Sequence, residues 1–432
     1  MLPSFAIGKS GPSANGKLNV AFIGAGGRAR ALIGGLPNEN FVAFCDVDEQ
    51  RAAQTYSEYP DVPRFKDFRR MFDKMGKEID AVCIATPDHT HFVGTFTAME
   101  NGKHVLTEKP LTHNVWEART LRKAATYYKV ISQMGNQGHA TEGIRFVKEW
   151  YESGAVGKVK EVIALNGGPD FGPNRLFNLP TRWPATSQAI PLHLNWDLWK
   201  GPVAEDIKYN EVFLPATWRG FYQFGNGQLG DWACHTLDAP FWALDLGMPT
   251  AVEAIAKDNR ALEGIAPSSS AVRFEFPKKG KRPAIVLTWY ERDWPEVDPN
   301  WGFEEWGQNR MVMIGDKGTI ATGARPNSPR LYPEAKWQEF RRNLPAKTIP
   351  RIKGSHISEW ANAIKGEGPL PGSNFDYASR LTEMALLGVL AQRFGGRIEW
   401  DDKKMEVTNR PELNAYIREP ARRGWRMGDQ VW

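Results

Sequence analysis

Cysteine is scarce in this chain, with three in 432 residues: Cys45, Cys83 and Cys234. Three scattered thiols give no disulfide framework, and no Cys/His spacing resembles a zinc site, so no metal is expected. Long apolar runs are missing too. None reaches the roughly 18 residues that a membrane helix needs, so no membrane partner is expected. Nor does one sign of charge dominate. The 55 basic and 50 acidic residues leave a formal +5, mixed along the chain, and nothing calls for nucleic acid. No internal repeat is present. What remains is a globular composition, 41% hydrophobic, in a length that suits two domains.

The residues that are present begin to speak at Val20. Residues 20–29 read Val-Ala-Phe-Ile-Gly-Ala-Gly-Gly-Arg-Ala, an apolar strand running into Gly24-x-Gly26-x-x-Ala29. This is the pattern of a strand, tight turn and helix that hold a dinucleotide pyrophosphate. Gly24 permits the turn, Gly26 lets the backbone approach phosphate oxygens, and Ala29 allows close helix–strand packing. The helix start adds free N–H groups and partial positive charge. A second apolar run ends in Asp46, 17 residues past Ala29. That spacing suits a carboxylate binding the adenosine ribose hydroxyls, which favours NAD over NADP. Arg28, Arg30 and Arg51 argue the other way. An ordinary ligand-free strand–turn–helix gives the same glycines.

From Leu18 to Met134 strand and helix patterns alternate. Strands are expected at Leu18–Ile23, Phe41–Asp46, Ala81–Ala85, His104–Thr107 and Val130–Met134, with helices between them. Such alternation implies a parallel, doubly wound α/β sheet whose ligands bind at the carboxyl ends of the strands. That rule sets Gly24, Asp46, Thr86 and Lys109 along one rim. After Gly138 the texture changes to an α+β pattern on an open, mainly antiparallel sheet. It includes one helix expected over Gln228–Leu246 and an Arg-rich tail (Arg410, Arg418, Arg422, Arg423, Arg426), read as a surface or subunit-contact arm. The division is therefore a flexible lead-in over 1–16, a dinucleotide-binding Rossmann domain over 17–138, and a substrate-binding and oligomerisation domain over 139–432.

Two constellations carry chemistry. Glu108-Lys109-Pro110 closes a strand, where a lysine points into the cofactor crevice and can stabilise alkoxide charge. A cis bond at Pro110 would fix its direction. A surface lysine before a turn reads the same. In Gly230-Asp231-Trp232-Ala233-Cys234-His235-Thr236-Leu237-Asp238, Asp231 and His235 share one helix face. An imidazole is suited to take a hydroxyl proton near neutral pH, and a carboxylate one turn away can orient it. A satisfied helix histidine beside a capping Asp is the bland alternative. Cys45 and Cys83 read as buried inert thiols, while Cys234, beside His235, also admits a catalytic thiol.

Taken in order, the glycine turn, Thr86-Pro87-Asp88-His89-Thr90-His91, Glu108-Lys109-Pro110 and Gly230-Asp231-x-x-x-His235-x-x-Asp238 resemble the Gfo/Idh/MocA oxidoreductases over nearly the whole chain. The resemblance implies catalysis by Lys109, Asp231 and His235. It implies NAD held by Gly24, Gly26, Gly27, Arg28, Asp46, Thr86, Pro87, His89, His91, Glu108, Lys109 and Asn136. The substrates implied are sugars, glycosides or cyclitols, and the assembly implied is a homo-oligomer, dimer or tetramer. Asn195–Pro202 and Trp218–Tyr222 resemble members that often carry a twin-arginine export signal, and residues 2–18 resemble the stretch after one. That reading puts the mature protein in the periplasm; without such a signal it belongs in the cytoplasm. Related NAD-dependent glycosidases make redox-neutral hydrolysis the alternative activity, and a non-catalytic NAD- or sugar-binding protein the third.

Six of the 17 tryptophans fall between Trp183 and Trp242, and a second aromatic patch runs from Trp289 to Trp306. Rings suit the C–H faces of a sugar, although core packing accounts for many of them. Trp196, Trp199 and Trp218 lie in irregular sequence and are expected as pocket walls. Gln137, His139, Asn166, His193 and Arg219 are expected to recognise hydroxyl groups.

Overall fold

The computed structural model describes residues 16–432 apart from 173–174, 181 and 259–263. The lead-in expected over 1–16 lies, except for Gly16, outside the described residues. No described helix is long and apolar enough to cross a membrane.

The first layer alternates as its sequence pattern dictates. It runs β1 (Asn19–Ile23), α1 (Ala29–Gly34), β2 (Asn40–Cys45), α2 (Glu49–Glu58), β3 (Arg64–Phe65), α3 (Phe68–Met75), β4 (Ala81–Ile84), α4 (Asp88–Glu100), β5 (His104–Thr107), α5 (Val115–Tyr127) and β6 (Ser132–Met134). The six strands are parallel, in the order β3-β2-β1-β4-β5-β6. β1 and β4 are buried almost throughout because helices cover both faces of the sheet. Successive strands are added on one side of β1 up to β3 and on its other side from β4 onward, so the carboxyl ends of β1 and β4 open a crevice at this switch point.

The second layer begins with α6 (Glu142–Glu152) and β7 (Val159–Asn166). It continues through α7 (Trp196–Lys200), α8 (Gly227–Thr236), α9 (Asp238–Ala243), β8 (Ala251–Lys257), β9 (Ser270–Phe276), β10 (Ile285–Glu291), β11 (Met311–Gly315), β12 (Gly318–Thr322) and β13 (Arg330–Tyr332). It closes with α10 (Glu334–Phe340), α11 (His356–Lys365), α12 (Phe375–Phe394), β14 (Gly396–Asp401) and β15 (Glu406–Val407). The nine strands run β13-β12-β11-β7-β10-β9-β8-β14-β15, antiparallel except where β10 meets β7.

Strand periodicity sorts the two faces of this sheet. Val162 and Ala164 of β7 face the helices in the main core. Ile163 and Leu165 face the other way and pack with Trp301, Phe303 and Val312. The second aromatic patch therefore covers the sheet's outer face, while Trp289 is fully buried.

One expectation needs correcting. The helix drawn over 228–246 is two, α8 and α9, with Leu237 at their junction. The strands β3, β13 and β15, of two or three residues, are too short to announce themselves, whereas the six-residue β14 follows α12 with only Gly395 between them. The Arg-rich tail folds back on its own chain: Arg422 pairs with Asp197, Arg418 stacks on Trp116, and Trp425 is buried against Phe68. The tail also ties the two layers together, as does α11, whose Ile357, Trp360 and Ala361 pack into the core beside β1. Helix α12 is buried on nearly every side, which explains why its sequence lacks an amphipathic stripe.

Candidate active site

The carboxyl ends of β1, β2, β4 and β5 and the second half of α8 line one cleft of about 1640 Å³, its open mouth included. Its floor is the glycine turn. Gly24 has φ +84°, and a Cβ there would meet the Ala85 carbonyl oxygen at 2.7 Å. A Cβ on Gly26 would meet the Arg51 carbonyl oxygen at 2.3 Å, so Gly26 is already required by helix α2 against the turn. Ala29 is fully buried under the sheet.

Asp46 closes the turn from inside. Its Oδ2 accepts from the amides of Ala25 (2.8 Å) and Gly26 (3.2 Å), and its Oδ1 accepts from Asp48 N (3.0 Å). Burial raises the Asp46 carboxyl above its ordinary value, and these three amides pull it back. Asp48 caps α2 and pairs with His193 (2.9 Å). The amides of Gly27 and Arg28 bond nothing among the described residues. Together with the Arg28 and Arg51 guanidiniums, which also line the cleft, they form a donor set suited to a pyrophosphate. Arg28 is held by Glu108 (2.6 Å).

At the other end of the cleft the two layers meet. The Lys109–Pro110 peptide is cis. Lys109 Nζ reaches from the end of β5 to α8 and donates to Asp231 Oδ1 (2.7 Å) and to its carbonyl oxygen (2.8 Å). Arg219 Nε donates to the same Oδ1 (3.0 Å). Burial alone would raise the Asp231 carboxyl, but the two cations outweigh it and hold the group well below the usual carboxylate range. One turn along α8, His235 also lines the cleft. Burial, with Lys109 and Arg325 adding to it, holds its imidazole well below the ordinary value, so it is neutral at pH 7.

Which nitrogen of His235 carries the proton follows from what lies behind it. Asn136 Nδ2 donates to Asp238 Oδ2 (2.9 Å), because a carboxylate can only accept. The Asn136 oxygen must then face His235 Nδ1 (3.2 Å), so Nδ1 bears the hydrogen and Nε2 keeps a free lone pair. Asp238 is fully buried and held by Tyr377 Oη (2.6 Å) and His139 Nδ1 (3.0 Å).

Other expected residues divide cleanly. Thr86, Pro87, His91, Gln137, Trp199, Trp218 and Arg219 line the cleft; Trp196, His89, Asn136, His139, Asn166 and His193 do not. Trp196 is sandwiched between Trp199 (4.8 Å) and Phe213 (5.9 Å) in a buried aromatic cluster. His89 spans the Phe224 and Trp199 carbonyls, and burial takes its pKa down to about 3. His91 likewise spans Pro110 and Thr86, with a pKa down to about 4. Asn166 is tied to Gln228 (2.6 Å). These side chains face backbone or amide partners within the protein, and a neutral imidazole donates to only one of the two carbonyls it spans; a linear pattern does not separate them from ligand-binding ones. Cys234 is buried off the cleft beside Thr382, its thiol pushed up to about 12 by burial, which removes the catalytic-thiol alternative.

Several cleft residues carry no sequence signal of their own, Trp232 and Arg325 among them. Trp232 occupies a variable position of the Asp-x-x-x-His motif. Arg325, on the β12–β13 loop, stands among Gly, Pro, Asn and Ser with no local signal. A third lining residue, Asp88, was passed over inside its motif, and burial pushes its carboxyl up to about 7.

Residues 18–136 match the model of an oxidoreductase family with an NAD-binding Rossmann fold, and residues 143–265 match the α/β C-terminal domain of the same family. A levoglucosan dehydrogenase of Pseudarthrobacter phenanthrenivorans is 27% identical over 155 residues, 33% of this chain and 39% of that protein. An inositol 2-dehydrogenase/D-chiro-inositol 3-dehydrogenase of Lacticaseibacillus casei is 29% identical over 36% of this chain and 46% of its own length. The matched stretches thus span less than half of these curated relatives. Among solved structures, an inositol dehydrogenase homolog from Azotobacter vinelandii, complexed with NADH and myo-inositol, superposes with a TM-score of 0.56. It is 16% identical, and the match covers 89% of this chain and 98% of that one, a likeness of fold.

Proposed function

Because the chain belongs to the Gfo/Idh/MocA family of oxidoreductases, we propose that it oxidises or reduces a secondary alcohol of a sugar, glycoside or cyclitol with NAD(H). One observation carries this reading. The Lys109 ammonium from the first layer is bonded to Asp231, one turn from His235, in the cleft that begins at the glycine turn. The relatives that act on levoglucosan and inositols support the substrate class.

The cleft fits the cofactor by its own chemistry. The amides of Gly27 and Arg28 and the guanidiniums of Arg28 and Arg51 would hold the pyrophosphate. Asp46 and Asp48 at the end of β2 put negative charge where a 2′-phosphate would need positive, which favours NAD over NADP. NAD held there would supply the hydride acceptor for the alcohol carbon. His235 Nε2 takes the hydroxyl proton. A buried, low-pKa imidazole is a weak base, so the alcohol must be made more acidic, and the Lys109 ammonium does this by stabilising the alkoxide. Asp231 anchors Lys109 and Arg219 and keeps both aimed into the cleft.

The test follows reduced-nicotinamide absorbance across sugars, glycosides and cyclitols. Lys109→Ala and His235→Ala are each expected to lower kcat by about 10²–10⁴-fold, the usual worth of a positioned acid or base. Undiminished turnover in either variant overturns the role assignment. The same assay separates the redox-neutral alternative, which similarity to a 2,7-anhydro-N-acetylneuraminate hydratase of Mediterraneibacter gnavus supports. Product without net NADH favours that alternative; NADH in proportion to product favours the dehydrogenase.

A further inference from the structure

The substrate end of the cleft is over-supplied with positive charge. Lys109 and Arg219 share one carboxylate, Asp231. Glu108 is matched by Arg28, and His235 is neutral. Asp88, buried beside Lys109 and Arg219, is only partly ionised at pH 7. A further cation, Arg325, also lines the cleft and makes no ion pair with any described residue.

Its position is built. The Arg325 guanidinium lies 4.9 Å from the centre of the Trp232 ring, and that ring meets His235 edge-on at 5.6 Å. The β12–β13 loop is docked against the start of α6 and the turn that precedes it. Pro326 fills the space left by two glycines: a Cβ on Gly143 would meet the Pro326 carbonyl oxygen at 1.9 Å, and one on Gly138 would meet its ring at 2.9 Å. Gly323 admits the Asn327 side chain in the same way. Arg325 is therefore held at the mouth of the cleft by a docked loop, stacked on a ring that itself touches the candidate base. A planar fork of N–H donors in that setting, with its face already on an aromatic ring, is arranged for a planar or tetrahedral anion.

We propose that the substrate is a sugar bearing an anionic group, carboxylate or phosphate, and that Arg325 binds that group. The proposal rests on the sugar-oxidising reading of the cleft and adds the substrate's charge to it. A neutral sugar would leave Lys109, Arg219 and Arg325 facing one carboxylate and a cationic nicotinamide. An anion supplies the missing charge, and its distance from the reacting hydroxyl selects which carbon lies under His235.

The experiment compares matched sets with the NAD-loaded protein: glucose, glucuronate and glucose 6-phosphate, then galactose and galacturonate. Each is read by kcat/KM and by calorimetric binding, for the wild type, Arg325→Gln and Arg325→Lys. At least one anionic member should exceed its neutral parent by tenfold or more in the wild type. Arg325→Gln should lower that ratio about 10–100-fold through KM, and Arg325→Lys should restore part of it. Preference for the acid or for the phosphate identifies the group. Neutral sugars equal to or better than their anionic partners, or an unchanged ratio in Arg325→Gln, overturns the proposal and leaves the dehydrogenase reading standing. Arg325-dependent binding of an anion with no hydride transfer upholds Arg325 as the anion site and counts against the dehydrogenase reading. Absence of both binding and turnover of every anionic member counts against the proposal.

Discussion

Replacing Asp238 by Asn removes one charge and keeps the side chain's shape. In the wild type the carboxylate fixes the Asn136 amide, and that amide fixes the hydrogen of His235 on Nδ1. With Asn at 238 the Asn136 amide is free to turn over, presenting its NH2 to Nδ1 and driving the ring hydrogen to Nε2. The candidate base then loses the lone pair that faces the cleft. The preference at stake is one hydrogen bond to a charged group, about 1.5–3 kcal/mol, and each 1.36 kcal/mol is tenfold in rate. The expected loss in kcat is therefore about 10–150-fold. KM should change little, because Asp238 is fully buried behind Asn136 and does not line the cleft.

The assay is steady-state NADH formation at saturating substrate. A primary deuterium isotope effect on the oxidised C–H shows whether hydride transfer limits the rate. A thermal melt establishes that the variant is folded. Tyr377→Phe serves as the comparison. It removes a 2.6 Å hydrogen bond to the same carboxylate but leaves the Asn136 amide oriented, so it should cost only a few-fold. A folded Asp238→Asn protein with kcat within about twofold of wild type would refute the tautomer argument.

Two further outcomes follow from the packing and the charges. Gly26→Ala drives a Cβ into the Arg51 carbonyl oxygen at 2.3 Å; α2 must move, and over-packing of this kind costs about 1–3 kcal/mol. A lower melting temperature together with weaker NAD binding, read by titration, is expected, and an unchanged melt and affinity would contradict the close approach. His113, buried against Glu419 at 2.8 Å, titrates near pH 9: burial alone would lower it, but Glu419, Glu117 and Asp88 together outweigh burial. A folded pKa above the unfolded one makes this contribution complete below about pH 6.5 and lost as the pH rises through 9. Glu117, pushed up to about 7 by burial, adds a fall in stability as the pH rises through the range between its ordinary value and 7. Urea midpoints should therefore decline from pH 6.5 to 9 in the wild type and decline less in His113→Gln; parallel curves would rule the pairing out as a source of pH-dependent stability.

The local rules were legible in the sequence because they act over a few residues. Apolar runs at strand spacing, the Gly24 turn, Asp46 at the end of β2, Lys109 at the end of β5 and the Asp231–His235 pair one helical turn apart each follow from neighbours in the chain. Even so, boundaries slipped where signals were short, as at Leu237 and in the two-residue strands. Which polar side chains serve the cleft was not legible. His89, Trp196 and Asn166 look like ligand-binding residues in one dimension, and only the structure shows them off the cleft lining and engaged with Phe224, Phe213 and Gln228.

Sequence by itself determined the parallel dinucleotide sheet, the second α+β layer and the identity of the ammonium, carboxylate and imidazole, since each is a property of residue type and short spacing. Only the tertiary structure decided that Lys109 spans 122 positions of chain to reach Asp231, that Asp238 acts on His235 through Asn136, and that Arg325 overlooks Trp232. Those pairings depend on where two sheets dock, and docking is set by the summed burial of many side chains on α5, α8 and α12 rather than by any single motif.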